Sequence, residues 1–187
     1  MVSTNILIWK SEELKSMEYM ILKSNNNTWI VSSTVIISLD KRTSYKITYN
    51  MELSSSWIVK KCQMEIEKNG SKTSLIVEHD KEKDWYINNN RQELFKSCTD
   101  LDLGFTPFTN TIPIHRLSLK IKESSTINAL WVQFPSFEIK PFTQKYTRIG
   151  EKKYLYETLT GFKAELKTNE FNFVEDYSPY WKMLSYV

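Results

Sequence analysis

The chain has 187 residues, a net charge of +3 and 41% hydrophobic residues. That length is one domain, 1–187, and such a domain buries roughly 70% of the surface its unfolded chain exposes. Lys and Arg are interspersed with Asp and Glu, an ordinary surface that excludes the basic stripe of a nucleic-acid binder.

The segment Ile6-Leu7-Ile8-Trp9 is too short for a signal-peptide core, and no run reaches the ~18 apolar residues of a membrane helix. Cys62 and Cys98 have no metal-site or redox spacing. Two buried thiols in a cytoplasmic protein without integral membrane association are expected.

From there on the hydrophobic period is two. Trp29, Val31 and Ser33 alternate with Ile30, Ser32 and Thr34, and Val35-Ile36-Ile37 continues the strand. Tyr45, Ile47, Tyr49 and Met51 alternate with Lys46, Thr48, Asn50 and Glu52, and Cys62, Met64 and Ile66 with Lys61, Gln63, Glu65 and Glu67. Asn69-Gly70 is a hairpin turn, because both residue types tolerate positive φ, and Leu75 and Val77 lie on the return strand. Residues 80–84 read as a charged turn before the strand opened by Trp85-Tyr86-Ile87.

Residues 98–117 read CTDLDLGFTPFTNTIPIHRL. Leu101 and Leu103 alternate with Asp100 and Asp102, which therefore share one strand face. The strand breaks at Gly104. A polar loop is expected next, with Pro107 and Pro113, the hydrogen-bonding Thr106, Thr109, Asn110 and Thr111, and the apolar Phe105, Phe108, Ile112 and Ile114. Loops this rich in large apolar side chains are ordered, and ordered loops carry function.

Downstream, Leu117, Leu119 and Ile121 alternate with Ser118, Lys120 and Lys122. Residues 127–134 form a mostly apolar strand, followed by Phe137 and Ile139, then residues 144–148, 154–159 and 162–167, and a last strand at 171–174. Short helices are expected only at residues 12–17, 91–96 and 178–184. The fold class is all-β, mainly antiparallel, with ten or more strands in a strongly curved sheet forming an open barrel or half-barrel.

The 98–117 segment resembles the motif DLGFTP-TNTLPI-RL of the bacterial "Putative glycolipid-binding" family. Residues 102–107, 109–111 and 113–114, Arg116 and Leu117 match it, with Ile112 where leucine is usual and His115 where arginine is common. Further matches are Trp131-Val132, Phe134-Pro135, Gln144, Tyr146, Arg148, Gly161-Phe162, Ala164, Leu166, Asp176-Tyr177 and Trp181. The resemblance covers nearly the whole chain. It implies non-catalytic binding of an amphipathic ligand, a glycolipid or other lipid-like molecule, in an apolar cavity.

Aromatic residues are 13% of the chain. Core packing accounts for Trp9, Trp29, Trp57 and Trp85. Trp131 and Phe134 are assigned to the apolar tail of a ligand. Asp100, Asp102, Thr106, Thr109, Asn110 and Arg116 are assigned to its polar head, since paired carboxylates suit vicinal sugar hydroxyls. The competing reading of the same polar groups is local capping of the loop.

Catalytic signatures are poor. No nucleophile elbow, zinc motif or phosphate loop occurs, and no cofactor is implied. His79 is expected to be exposed in a charged turn. Cys98 is better read as an inert thiol than as a nucleophile for His115. Two alternatives stay open: a hydrolase using Asp100, Asp102 and His115, and a structural or dimerisation domain with a filled core. The oligomeric state is left open, a homodimer included.

Overall fold

The computed structural model describes residues 3–25, 27–80 and 84–187. The charged turn expected at 80–84 lies, at 81–83, outside the described residues. Among the described residues fifteen strands form one open sheet. They are β1 (Ser3–Ser11), β2 (Ser16–Asn25), β3 (Thr28–Ser38), β4 (Ser44–Ser54), β5 (Val59–Lys68), β6 (Ser71–His79), β7 (Trp85–Ile87), β8 (Asn90–Arg91), β9 (Asp100–Leu103), β10 (Ser124–Val132), β11 (Ile139–Gly150), β12 (Lys153–Thr158), β13 (Lys163–Thr168), β14 (Val174–Tyr177) and β15 (Trp181–Tyr186). The order runs from β8 back to β1, then β15 back to β9, so β8 and β9 are the end strands of a sheet that does not close. Of the pairings along it, β9 with β10 is parallel. The all-β, mainly antiparallel class holds.

The chain divides into two compact units, Met1–Lys96 with Met183–Val187, and Ser97–Lys182. The first is a meander whose register follows the alternation. Leu7, Met20, Leu22, Val31, Val35, Ile47 and Val77 are 0% exposed on one face, while Lys46, Asn50, Gln63 and Glu65 are exposed on the other. Asn69 (φ 49°) and Gly70 (φ 87°) make the two-residue turn joining β5 and β6, with Lys68 paired to Ser71. Asn69 also anchors the neighbouring turn, donating from Nδ2 to the Arg42 carbonyl at 2.8 Å and accepting the Ser44 N–H at 2.9 Å. Trp9, Trp57 and Trp85 are buried as expected, and Trp29 is half-buried against Trp57. Cys62 and Cys98 are buried free thiols.

The second unit departs from the expectations in one important place. Residues 108–117 are not a loop but an α-helix, α1 (Phe108–Leu117). A parallel pair needs a crossover of a dozen or more residues, and α1 is the crossover from β9 to β10. The helix is buried from Phe108 to Ile114, on every side, so packing holds it rather than propensity. Pro113 lies inside it and cannot donate to the Thr109 carbonyl. Ser118 ends it in the left-handed region, its N–H returning to the Ile114 carbonyl at 3.3 Å.

Four smaller expectations also fail. Residues 117–121 are the helix end and a turn, not a strand. Residues 12–15 are a turn leading into β2, and the expected helix at 178–184 is a turn followed by β15. The last strand is β15 rather than 171–174, most of which is turn. Within 91–96 a single 3-10 turn, Glu93–Phe95, does form.

Candidate functional site

The expected polar residues meet where β9, α1 and β11 come together in the second unit. Asp100 and Asp102 lie on one face of β9, beside Ala129 and Trp131 of β10 in parallel register. Asp100 is 3% exposed. Arg116, in the last turn of α1, grips it with both nitrogens, Nε to Oδ1 at 3.1 Å and Nη2 to Oδ2 at 2.5 Å. Thr99 donates a third bond to Oδ2 at 2.6 Å. This bidentate pair fastens the helix end to the strand, and the guanidinium stands where the helix dipole favours a cation.

Asp102 is half-buried and takes a bond on each oxygen. Thr109 Oγ1 donates to Oδ1 at 2.9 Å, and Gln144 Nε2 donates to Oδ2 at 2.6 Å. Thr109 Oγ1 in turn accepts the Leu103 N–H at 3.3 Å. Tyr146 OH donates to Asn110 Oδ1 at 2.8 Å, with Gln144 Oε1 also in reach at 3.2 Å. Asp102, Thr109, Gln144, Tyr146 and Asn110 therefore form one continuous network. Burial pushes the Asp102 carboxyl above its ordinary pKa, Thr109 and Gln144 pull it down, and the charge on Asp100 pushes it up again. Burial likewise pushes the Tyr146 phenol well up, so it stays a neutral donor.

The remaining threonines cap the backbone. Thr106 Oγ1 accepts the Phe108 N–H at 3.1 Å, and Thr111 Oγ1 accepts the Val174 N–H at 3.2 Å. Thr106, Thr109 and Asn110 are all buried. Gly104 is required by space rather than by dihedral angle. A Cβ there would stand 3.1 Å from Trp131 Nε1 and 3.2 Å from both Phe134 N and Val132 O. The glycine lets the end of β9 lie tight against β10.

The two expected apolar residues sit in two half-buried aromatic pairs. Trp131 stacks on Phe142 at 4.4 Å, and Phe134 meets Phe137 edge-on at 5.8 Å. Phe142, Gln144 and Tyr146 share the face of Asp102 and Trp131, through the direct pairs Ala129–Phe142 and Ile127–Gln144. A second aromatic group stands beyond Tyr146, where Tyr156 contacts Tyr146 at 5.2 Å, Phe162 at 6.0 Å and Tyr177 at 6.3 Å. Ile114 and Leu117 of α1 belong to the same apolar cluster as Ile127, Tyr146, Tyr156 and Leu166, so the helix covers part of this face.

Sequence reasoning assigned no role in the site to Gln144, Tyr146 or Phe142. Their signal was available: 142, 144 and 146 alternate along β11, which places a polar pair in an otherwise aromatic row.

The chemistry of catalysis is weak here. Burial drives the His115 imidazole down to about 4, with the Phe171 backbone pulling the other way, so it is neutral at pH 7; its ring packs on Phe173 at 5.6 Å. Burial and the charge on Asp100 push the Cys98 thiol up to about 11, which leaves little thiolate. His79 is half-buried and stacks on Trp85 at 4.2 Å, where an exposed turn position was expected. No group of metal-ligating side chains occurs among the described residues. No described helix is long and apolar enough to cross a membrane. A depression of about 200 Å³ is lined by Thr126, Thr143, Gln144, Lys145, Glu157, Thr158 and Leu159. By strand alternation Thr126, Lys145 and Glu157 point away from the Asp102 face.

No curated protein matches the chain. Among solved structures it is similar to a DUF1089 family protein from Pseudomonas aeruginosa, with 28% identity and a TM-score of 0.78 over 88% of this chain and 91% of that one. Residues 6–183 match the family described as "Putative glycolipid-binding", from before the end of β1 to within β15. The motif residues that build the network around Asp100 and Asp102 are inside that match, and the chain belongs to the putative glycolipid-binding family.

Proposed function

We propose that the protein is a non-catalytic cytoplasmic binder of an amphipathic molecule, a glycolipid or a similar sugar-bearing lipid. The observation that carries this reading is the side-by-side placement of Asp102 and Trp131 as register partners on β9 and β10. A hydrogen-bonded carboxylate and a half-buried aromatic stack thus share one sheet face, which suits a ligand with a polar head and an apolar tail. The Trp131–Phe142 and Phe134–Phe137 rings meet the tail. Asp102 and Arg116, the incompletely buried members of the polar set, meet the head. Asp100, Thr106, Thr109 and Asn110 hold these groups in place from behind. The match to a family named for glycolipid binding supports the ligand class, and a neutral His115 with a reluctant Cys98 supports binding over hydrolysis.

The test is a tryptophan-fluorescence titration of the folded protein with glycolipids of increasing acyl length. Each buried methylene contributes about 0.8 kcal/mol, roughly a fourfold gain in affinity, until the tail is covered. A response that does not change along the series would reject the tail assignment and return the aromatic face to core packing.

A further inference from the structure

Phe162, Tyr177 and Tyr180 form an aromatic group that the binding reading above does not use. Phe162 and Tyr180 are 5.6 Å apart between centroids, tilted at 52°, and Tyr177 and Tyr180 are 5.2 Å apart at 64°. All three rings are half-buried. They are backed by the buried Tyr156, which touches Phe162 and Tyr177 edge-on. Each ring leaves part of its surface accessible to a ligand. Rings that brace one another lose little freedom when a ligand arrives, because their rotamers are already fixed.

The surroundings of this group are polar in a particular way. Thr158 and Thr160 exchange a hydroxyl bond at 2.8 Å beside it, in the turn whose Thr158 N–H reaches the Phe162 carbonyl at 3.0 Å. Asp176 alternates with Tyr177 along β14, so its carboxylate lies on the opposite face, where it meets Lys167 at 3.6 Å and accepts the Ser178 N–H and hydroxyl. Threonine hydroxyls and two phenols around ring faces match a pyranose. Its C–H face lies against the negative face of an aromatic ring while its rim of hydroxyls finds donors and acceptors.

We infer that Phe162, Tyr177 and Tyr180 are a sugar-stacking platform that takes a ring of the ligand's saccharide head. This rests on the reading of the protein as a glycolipid binder and names the part of the site that recognises sugar. The platform is tied to the Asp102 network through contiguous rings, from Tyr146 to Tyr156 to Tyr177. The electrostatic reach is consistent with that path, since the Asp102 charge adds to burial in holding the Tyr156 phenol up. Tyr146 and Tyr156 are direct register partners, so the platform is backed from the same sheet face as the network.

The experiment uses saturation-transfer NMR and affinity measurements on the full chain with two probes of the same tail. One is a set of octyl hexosides (glucoside, galactoside and mannoside); the other is octyl tetraethylene glycol, whose head has no ring. The wild type is expected to bind at least one hexoside more tightly than the ring-less probe, with saturation strongest on the sugar C–H protons. Tyr180→Ala should lose about tenfold of the hexoside affinity and leave the ring-less probe unchanged. Tyr180→Trp, which restores a ring, should recover the hexoside. Hexoside binding by Tyr180→Ala equal to that of the wild type overturns the platform and leaves the glycolipid reading standing. Equal binding of both probes by the wild type overturns the platform as well. Failure of the wild type to bind either probe overturns the glycolipid reading and the platform with it.

Discussion

The two units bury polar groups in opposite ways. In the first, the covered face of a regular meander is apolar almost along its length, and a carboxylate appears in it at Glu18, 0% exposed. Ser33 and Tyr49 each donate to its Oε1 at 2.7 Å, one from β3 and one from β4. In the second unit the covered face carries Asp100, Asp102, Gln144 and Tyr146 together, and the helix above it presents Thr109, Asn110 and Thr111. Register in the first unit follows from which face is greasy, since a one-residue slip would expose it all. In the second, the helix is a poor one by composition and is positioned by specific bonds from its polar side chains to β9, β11 and β14. Polar networks of that kind fix one arrangement when every member is satisfied and are costly when one is lost.

Cutting the helix anchor should have the largest effect. Arg116→Ala leaves Asp100, 3% exposed, without its cation, and is expected to lower stability by about 3–5 kcal/mol. For a chain of this size that is roughly 6–20 °C in Tm. The comparison between units adds that hydrogen exchange should quicken first in α1 and β9, while β3 to β5 keep their protection. A loss below about 1 kcal/mol would mean that the pair behaves like an exposed one. It would also mean that the apolar cluster around Ile114 holds the helix by itself.

Acid should single out the second unit next. His115 has a folded pKa near 4 against an ordinary value of 6.5. The unfolded chain therefore binds more protons between those values. Stability from the neutral, half-buried imidazole is complete above about pH 6.5 and is lost as the pH falls toward 4. The full difference is roughly 3 kcal/mol. Denaturant midpoints for the wild type should decline across that window, and His115→Gln should flatten the decline. A wild type and variant with parallel pH profiles would show that His115 is solvated in practice.

Legibility in the sequence follows the same division. Strands β3 to β6 and the Asn69-Gly70 turn were readable because their two faces differ in polarity. β2 was not, because its outer face is also apolar: Met17 is 52% exposed and Tyr19 44%, so no period of two is visible there. Helix α1 was hidden for a different reason. Its β-branched residues and Pro113 argue against a helix on propensity, and what makes it one is burial against residues far along the chain. The spacing of Phe105, Phe108 and Ile112 was the available hint. The same residues made the site half legible. Asp100, Asp102, Asn110 and Arg116 could be picked out as polar groups acting together, but not which carboxylate takes the arginine. That choice depends on Gln144 arriving from β11 to occupy Asp102.

The finest form of the comparison is between two tyrosines. Tyr49 donates to Glu18 Oε1 at 2.7 Å, and Tyr146 donates to Asn110 Oδ1 at 2.8 Å with Gln144 Oε1 also in reach. A buried partner that loses its hydroxyl donor is left unsatisfied, at a cost of about 1–3 kcal/mol. Tyr49→Phe and Tyr146→Phe each remove a single hydroxyl from a ring 0–1% exposed, so each should lower stability by about that much. The effect on binding should separate them. Tyr49 is in the first unit and its loss should leave the affinity read in the fluorescence titration intact, whereas Tyr146 braces Gln144 and through it Asp102. Equal losses of affinity in the two variants would mean that the Asp102 network has no special part in binding.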